Sequence, residues 1–320
     1  MRSHTVLEIV EILDLRHYAG AELRPLLESE ADYWAREMLW DYHSAAEMIL
    51  RYVDSKILPG YVALENGRIA GYSFFVYEGS KGVIGDLYAD PNSQAETIRT
   101  QLLTHVIETL QQTPGIHRVE AQLLAHPTGA VALPFLNEGF RGFRRLFMEL
   151  PIAELGGHKK TVGDDIEIRR WSEADFQNAA HLITQAYIGH IDSDINDQYR
   201  TVGGSLRFLN NIVRFPGCGT FDPQSSLVAV RRTTGTMVGL LLCSRVREDV
   251  GHVTQVCLLP EYRSRGIGEA LMAGCSAELA RRNFTLLTLT VTEANRKAVD
   301  LYKRLGFSTR RVFDAFVWEG

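Results

Sequence analysis

The chain has 320 residues, 45% of them hydrophobic and 23% charged, with a formal net charge of −5. That length suits about two domains, and the composition is that of a globular protein rather than a disordered, fibrous or disulfide-stapled one. The acidic balance weighs against a nucleic-acid partner, and no apolar run approaches the roughly 20 residues of a membrane span. Residues 1–15 mix acidic side chains with short apolar runs, unlike a secretory leader, so a cytoplasmic protein is expected. Cys218, Cys243, Cys257 and Cys275 form no Cys-x-x-Cys pair, so neither zinc nor a disulfide framework is expected.

In chain order, the first half of the sequence runs from Leu7 to Pro151. Val62-Ala63-Leu64, a turn at Gly67 and Ile69-Ala70-Gly71 predict a hairpin there. Gly156-Gly157 and a Lys-Lys pair mark residues 155–165 as an exposed linker. The second half opens with a strand over 166–169, then a helix capped by Ser172 or Asp175 that runs to about Tyr187. A polar loop and a helix over about 199–213 follow. The stretches 226–231 and 237–245 form a hairpin, and 251–259 adds a strand. A glycine turn leads into a helix over 268–282, a strand over 285–291, a helix over 295–305 and the closing strands.

The two halves repeat one another. Gly235 and Gly239 stand 168 positions after Gly67 and Gly71, Pro260 stands 169 after Pro91, and Gly306-Phe307 stands 167 after Gly139-Phe140. A nearly constant offset across landmarks in the same order indicates internal repetition. The expected domains are 1–154 and 166–320, joined by 155–165. Hairpins plus one helical crossover make each half a mixed α/β domain, a mostly antiparallel sheet flanked by helices.

The run Leu258-Leu259-Pro260-Glu261-Tyr262-Arg263-Ser264-Arg265-Gly266-Ile267-Gly268-Glu269 carries the most chemistry. A strand, a tight glycine turn and a helix N-terminus gather backbone N–H groups around one point, an anion site strengthened by the helix dipole. Gly266 and Gly268 allow the main chain to approach a phosphate, with Arg263 and Arg265 adding charge at the rim. No Gly-Lys-Ser/Thr is present for a Walker A loop, and Leu271 stands where a Rossmann fingerprint needs a third small residue. Leu289-Thr290-Val291 is followed by Asn295-x-x-Ala298-x-x-x-Tyr302-x-x-x-Gly306-Phe307. Arg263-x-x-Gly266-x-Gly268 together with this second motif resembles the CoA-binding core of the GNAT superfamily of acyl-CoA-dependent N-acyltransferases. The arrangement of two halves, one of them catalytic, is similar in architecture to mycothiol synthase, without carrying that substrate over.

The resemblance implies tandem GNAT folds and acetyl-CoA as co-substrate, with direct attack by an amine in a ternary complex. It implies that Arg263, Ser264, Arg265, Gly266, Ile267, Gly268 and Glu269 bind pyrophosphate. It also implies that a backbone N–H among Val256, Cys257 and Leu258 meets the thioester oxygen, and that Tyr302 protonates the leaving thiolate. Asn295 either meets the pantetheine arm or caps its helix. The base stays open among His190, Asp192, Asp194, His252 and Glu293. A calcium loop at 192–203 fails because its sixth position is Asp197 and its twelfth Gly203, and the histidines show no ligand spacing, so no metal is expected. The first half lacks the motif. Gln94, Ala95, Glu96, Thr97 and Arg99 stand opposite Arg263, Ser264, Arg265, Gly266 and Gly268, Thr128 opposite Asn295 and Phe135 opposite Tyr302. The first half is therefore expected to be a degenerate copy. The expected partner is a small-molecule or amino-acid-like amine, with no nucleic acid or membrane, and the expected state is a monomer or homodimer. Acetylation of protein lysines or N-termini, and a non-catalytic acyl-CoA-binding module, are the alternatives.

Overall fold

The computed structural model describes residues 10–154, 162–214 and 219–320. Cys218 and residues 155–161 of the expected linker lie outside the described residues. The chain forms two compact units. One comprises residues up to 38, 42–143 and 313–320, and the other comprises 39–41 and 144–312. Among the described residues no helix is long and apolar enough to cross a membrane.

The first unit contains β1 (Val10–Asp14), α1 (Gly20–Tyr33), α2 (His43–Asp54), β2 (Gly60–Glu65), β3 (Arg68–Glu78), β4 (Lys81–Ala89), α3 (Ala95–Gln112), β5 (Arg118–Gln122) and α4 (Ala132–Asn137). β1 to β4 pair antiparallel in sequence order, and β5 pairs parallel with β4. α3 buries Ile98, Leu102, Leu103, Val106, Ile107 and Leu110, spaced as one helical stripe against the sheet. Each such side chain contributes about 1.5–3 kcal/mol of burial energy. A second cluster, including Leu23, Leu27, Leu50 and Tyr72, packs under α1 and α2.

Next in the chain come β6 (Arg141–Pro151), β7 (Ile166–Arg170), α5 (Phe176–Ala186), α6 (Asp192–Ile195), α7 (Val202–Arg214), β8 (Thr220–Phe221), β9 (Leu227–Arg231) and β10 (Met237–Arg247). They are followed by β11 (Val250–Leu258), α8 (Ile267–Arg281), β12 (Leu286–Thr292), α9 (Arg296–Arg304) and β13 (Ser308–Glu319). The second unit's sheet runs β7-β9-β10-β11-β12-β6, with β11 and β12 parallel and the other pairs antiparallel. β10 is buried from Met237 to Ser244 because α5 and α8 pack on it, so it reads as a continuous apolar run rather than an alternating one.

The compact units do not follow the linear halves. β6 leaves the first half and pairs with β12, Leu146 opposite Val291 and Leu150 opposite Leu287. The end of β13 pairs with β5, Phe316 opposite Ala121 and Trp318 opposite Val119. Each sheet thus takes its last strand from the other half of the sequence. α6 and β8, absent from the sequence reading, are the remaining additions.

Candidate active site

β11 and β12 pair only from Val250/Leu286 to Val253/Leu289. A bulge at Thr254 shifts the β10 register, so that Gln255 faces Leu242 while Val253 faces Cys243. Such a bulge bends a strand. Beyond it the two parallel strands part, and a cavity of about 510 Å³ lies between Val253–Leu258 on one side and Leu289–Val291 on the other. The Leu259 N–H donates to Val238 O at 3.0 Å. Antiparallel alternation then commits the Cys257 amide to β10 and turns the N–H groups of Val256 and Leu258 into the gap.

The glycine turn closes one end of the cavity. Gly266 has φ 80° and precedes α8, and Ser264 has φ 63°. Only glycine takes the first conformation without strain. The first closing bond of α8 runs from Ala270 N–H to Gly266 O at 2.9 Å, so the amides of Ile267, Gly268 and Glu269 precede the helical ladder. A Cβ at Gly268 would sit in ordinary contact, 3.6 Å from Leu258 and 3.8 Å from Leu301. Packing therefore does not require glycine there, and its bareness leaves room in the cavity. Both arginines are exposed, and Arg263 lines the cavity. Arg263 donates Nη2 to Ala186 O at 2.5 Å and Nε to Leu258 O at 3.3 Å, tying the α5 C-terminus to β11. Arg265 stacks over the Tyr262 ring, 5.0 Å from its centroid.

Side chains from four elements converge on the gap. Tyr302 on α9 is buried, and that burial, with the charge of Asp192, raises its phenol well above the ordinary tyrosine pKa. Asn295 caps α9 by accepting from the Ala298 N–H at 3.4 Å, while its Nδ2 lies 3.3 Å from His190 Nε2. Asn295 thus caps α9 and also lines the cavity. His190 Nδ1 lies 3.1 Å from the Asp192 N–H and 3.6 Å from its carboxylate. Thr292 donates its hydroxyl to Asp192 Oδ1. Cys257 lines the cavity, with burial pushing its thiol up to about 12, which suits packing rather than a nucleophile.

Of the five candidate bases, His190 and Asp192 line the cavity. Asp194 pairs with Arg200 at 3.6 Å and Glu293 with Arg144 at 3.5 Å, and both are about half exposed. His252 packs between Trp40 and Phe147 and donates Nδ1–H to Thr288, whose own hydroxyl donates to Gly251 O. Burial draws its pKa down to about 3, so it stays neutral. Sequence reasoning missed Lys297 and Arg304, whose spacing with Leu301 puts all three on one α9 face lining the cavity. It also missed Arg145, Tyr187, Tyr199 and Gln255, which come from separate elements.

At the corresponding place in the first unit, the main-chain groups facing the gap are met by the unit's own chain. β4 and β5 also part beyond Ile84 and Ala121. Leu87 holds the position of Val256. Its N–H donates to Asp86 Oδ1 at 2.8 Å, and its carbonyl accepts from His126 Nε2 at 2.8 Å. α3 starts at Ala95, a turn earlier than α8 by the repeat offset, and the N–H of its N-cap residue, Gln94, donates to Glu65 Oε1 at 3.0 Å. Phe135, opposite Tyr302 in the repeat, is fully buried against Phe316, with ring centroids 4.2 Å apart.

The acetyltransferase (GNAT) family profile matches residues 20–138 and 186–307. Mycothiol acetyltransferase of Thermobifida fusca is 34% identical over 96 residues, covering 27% of this chain and 29% of that protein. That of Propionibacterium freudenreichii is 25% identical over 174 residues, covering 53% and 52%. The chain thus spans less than a third of the first relative and about half of the second. A GCN5-related N-acetyltransferase from Sphaerobacter thermophilus superposes with TM-score 0.66 at 16% identity, over 97% of this chain and 95% of that one. A tandem GNAT protein from the clavulanic acid biosynthesis pathway superposes with TM-score 0.60 at 14% identity, over 97% and 98%. These two likenesses concern the fold. Two profile matches on two repeated units place the chain in the acetyltransferase (GNAT) family as a tandem member.

Proposed function

We propose that the second unit transfers the acetyl group of acetyl-CoA to the primary amine of a small, amino-acid-like acceptor. The parting of β11 from β12 beside a glycine-led helix N-terminus carries this reading. The α8 amides and Ser264 would hold pyrophosphate, with Lys297 and Arg304 adding positive charge from α9. The pantetheine arm would lie in the gap. The thioester oxygen would accept from the Val256 N–H, which is fixed before the reaction begins.

Asp192, with His190 beside it, would take the proton of the arriving ammonium, directly or through water. The amine nitrogen then attacks the carbonyl carbon and the C–S bond breaks. Tyr302 gives its proton to the leaving thiolate, and the nitrogen's second proton, lost as the amide forms, restores the Tyr302 phenol through water. The raised pKa of the phenol keeps its proton available throughout the working pH range. The first unit, with the groups facing its gap met by its own chain, would bind no acetyl-CoA and would serve a structural role.

Calorimetric titration with acetyl-CoA tests this, together with Gly268→Ala. The space around Gly268 admits a methyl group and the position is helical, so the variant should melt no lower than the parent. Its acetyl-CoA affinity should fall at least about tenfold, roughly 1.4 kcal/mol. Unchanged affinity would remove α8 from the cofactor site.

A further inference from the structure

Gln255 is 5% exposed and lines the cavity, yet among the described residues its Nε2 has no hydrogen-bond partner. Burying an amide donor unpaired is costly, and folds ordinarily avoid it. The amide is oriented by a second buried group: the Tyr187 hydroxyl donates to Gln255 Oε1 at 3.3 Å. With the oxygen so engaged, the N–H groups are the free end.

The internal repeat provides a comparison within the same chain. The β3–β4 pairing passes from Phe74/Asp86 to Phe75/Ile84 around Gly85, as β10–β11 passes from Leu242/Gln255 to Cys243/Val253 around Thr254. Asp86 and Gln255 therefore occupy the same place, the first residue after the bulge. Asp86 is saturated from within: it accepts from the Tyr42 hydroxyl, from Tyr72 at 3.3 Å and from the Leu87 N–H at 2.8 Å. In the first unit, the polar residue is satisfied by its own chain. In the second, its donors are left over.

We propose that Gln255 Nε2 binds a carboxylate oxygen of the acceptor, so that the acceptor is an amine that also carries a carboxylate, of the α-amino-acid type. This deepens the acetyl-transfer reading above and rests on it. Charge across the cavity wall supports the class. Arg145 on β6 lies opposite Thr292 on β12, and Thr292 donates to Asp192, so a cation and an anion lie close together on one wall. An amino-carboxylate can place its ammonium toward Asp192 and its carboxylate toward Gln255 Nε2, on the side of Arg145. A plain amine leaves the Gln255 donors unmet, and a site that loses a hydrogen-bond partner discriminates strongly.

The test compares the twenty α-amino acids with their amides and their decarboxylated amines as acceptors, following CoA release from acetyl-CoA. Carboxylate-bearing acceptors should have the higher kcat/KM by at least about tenfold, and Gln255→Leu should raise their KM by a similar factor with kcat less affected. The double variant Tyr187→Phe/Gln255→Leu removes both polar groups together and should melt no lower than the parent while showing the same loss. Equal use of amides and acids, or an unchanged KM in both variants, would overturn the proposal. If acetyl-CoA binds but no amine is acetylated, the transferase reading falls by itself. Calorimetry of the same compounds in the presence of CoA then decides the present point: carboxylate-dependent binding weakened by Gln255→Leu upholds it, and binding indifferent to the carboxylate or to the variant overturns it.

Discussion

Tyr302 separates packing from chemistry at the level of one atom. Its ring lies 5.7 Å from that of Phe307, a contact phenylalanine would also make. Tyr302→Phe should therefore leave melting and acetyl-CoA affinity nearly unchanged while lowering kcat about 10²–10⁴-fold, the usual range for a general acid. Because burial raises its pKa, the parent enzyme's rate should show no alkaline fall from this group up to about pH 10, which a pH–rate profile checks. Glu30 in the first unit makes a different pH prediction. It is fully buried, accepts from Tyr72 at 2.6 Å and Trp34 at 3.2 Å, and is raised well above the carboxylate range by burial and by Asp86. A raised folded pKa gives stability that is complete below the unfolded value, near 4.5, and is lost as pH rises through the folded value. The melting temperature of the first unit should therefore decline from acid toward alkaline pH. Glu30→Gln, which has no proton to lose, should flatten that decline, and thermal melts across pH would show it.

At the scale of elements, α8 and α3 diverge at their first turn. The Arg263-x-x-Gly266-x-Gly268 pattern was legible because a positive φ and a bare helix start call for glycine. The loss of both glycines in the first half was equally legible. The extra α3 turn was not, because Thr97 and Arg99 are compatible with helix or loop, and Glu65, which meets the α3 start, stands 29 residues from Gln94 on β2. Likewise His126, which donates to Leu87 O where β4 and β5 part, carries no local signal. These contacts predict one equivalent of acetyl-CoA per chain in a calorimetric titration. Two sites of similar affinity would contradict this reading of the first unit.

The whole molecule is organised by the exchange of last strands. Phe316, near the end of the second half, is 2% exposed and belongs to the first unit's core beside Phe135 and Phe140. Phe316→Ala should destabilise the first unit by about 3–5 kcal/mol, the usual cost of a large aromatic truncation in a core. Hydrogen exchange should locate the loss in β5 and α4, with acetyl-CoA still bound by the second unit. A loss of protection confined to β11 and β12 would contradict this assignment.

The sequence by itself determined the repeated mixed α/β architecture, the glycine turn before α8 and the position of Tyr302 on the following helix. Those features depend on local requirements: periodicity, φ angle and spacing along one element. It listed five candidate bases without ordering them, since proximity to a cavity is not a local property. Tertiary structure alone brought His190 and Asp192 to the gap, withdrew His252 into the core and tied Arg263 to two carbonyls at the cavity edge. It alone set Gln255 beside Tyr187 and sent β6 and β13 across the linear boundary. A strand's pattern says which face is buried, but its partner is chosen by which sheet edge offers matching hydrogen bonds and apolar surface, and that edge here lies in the other half of the chain.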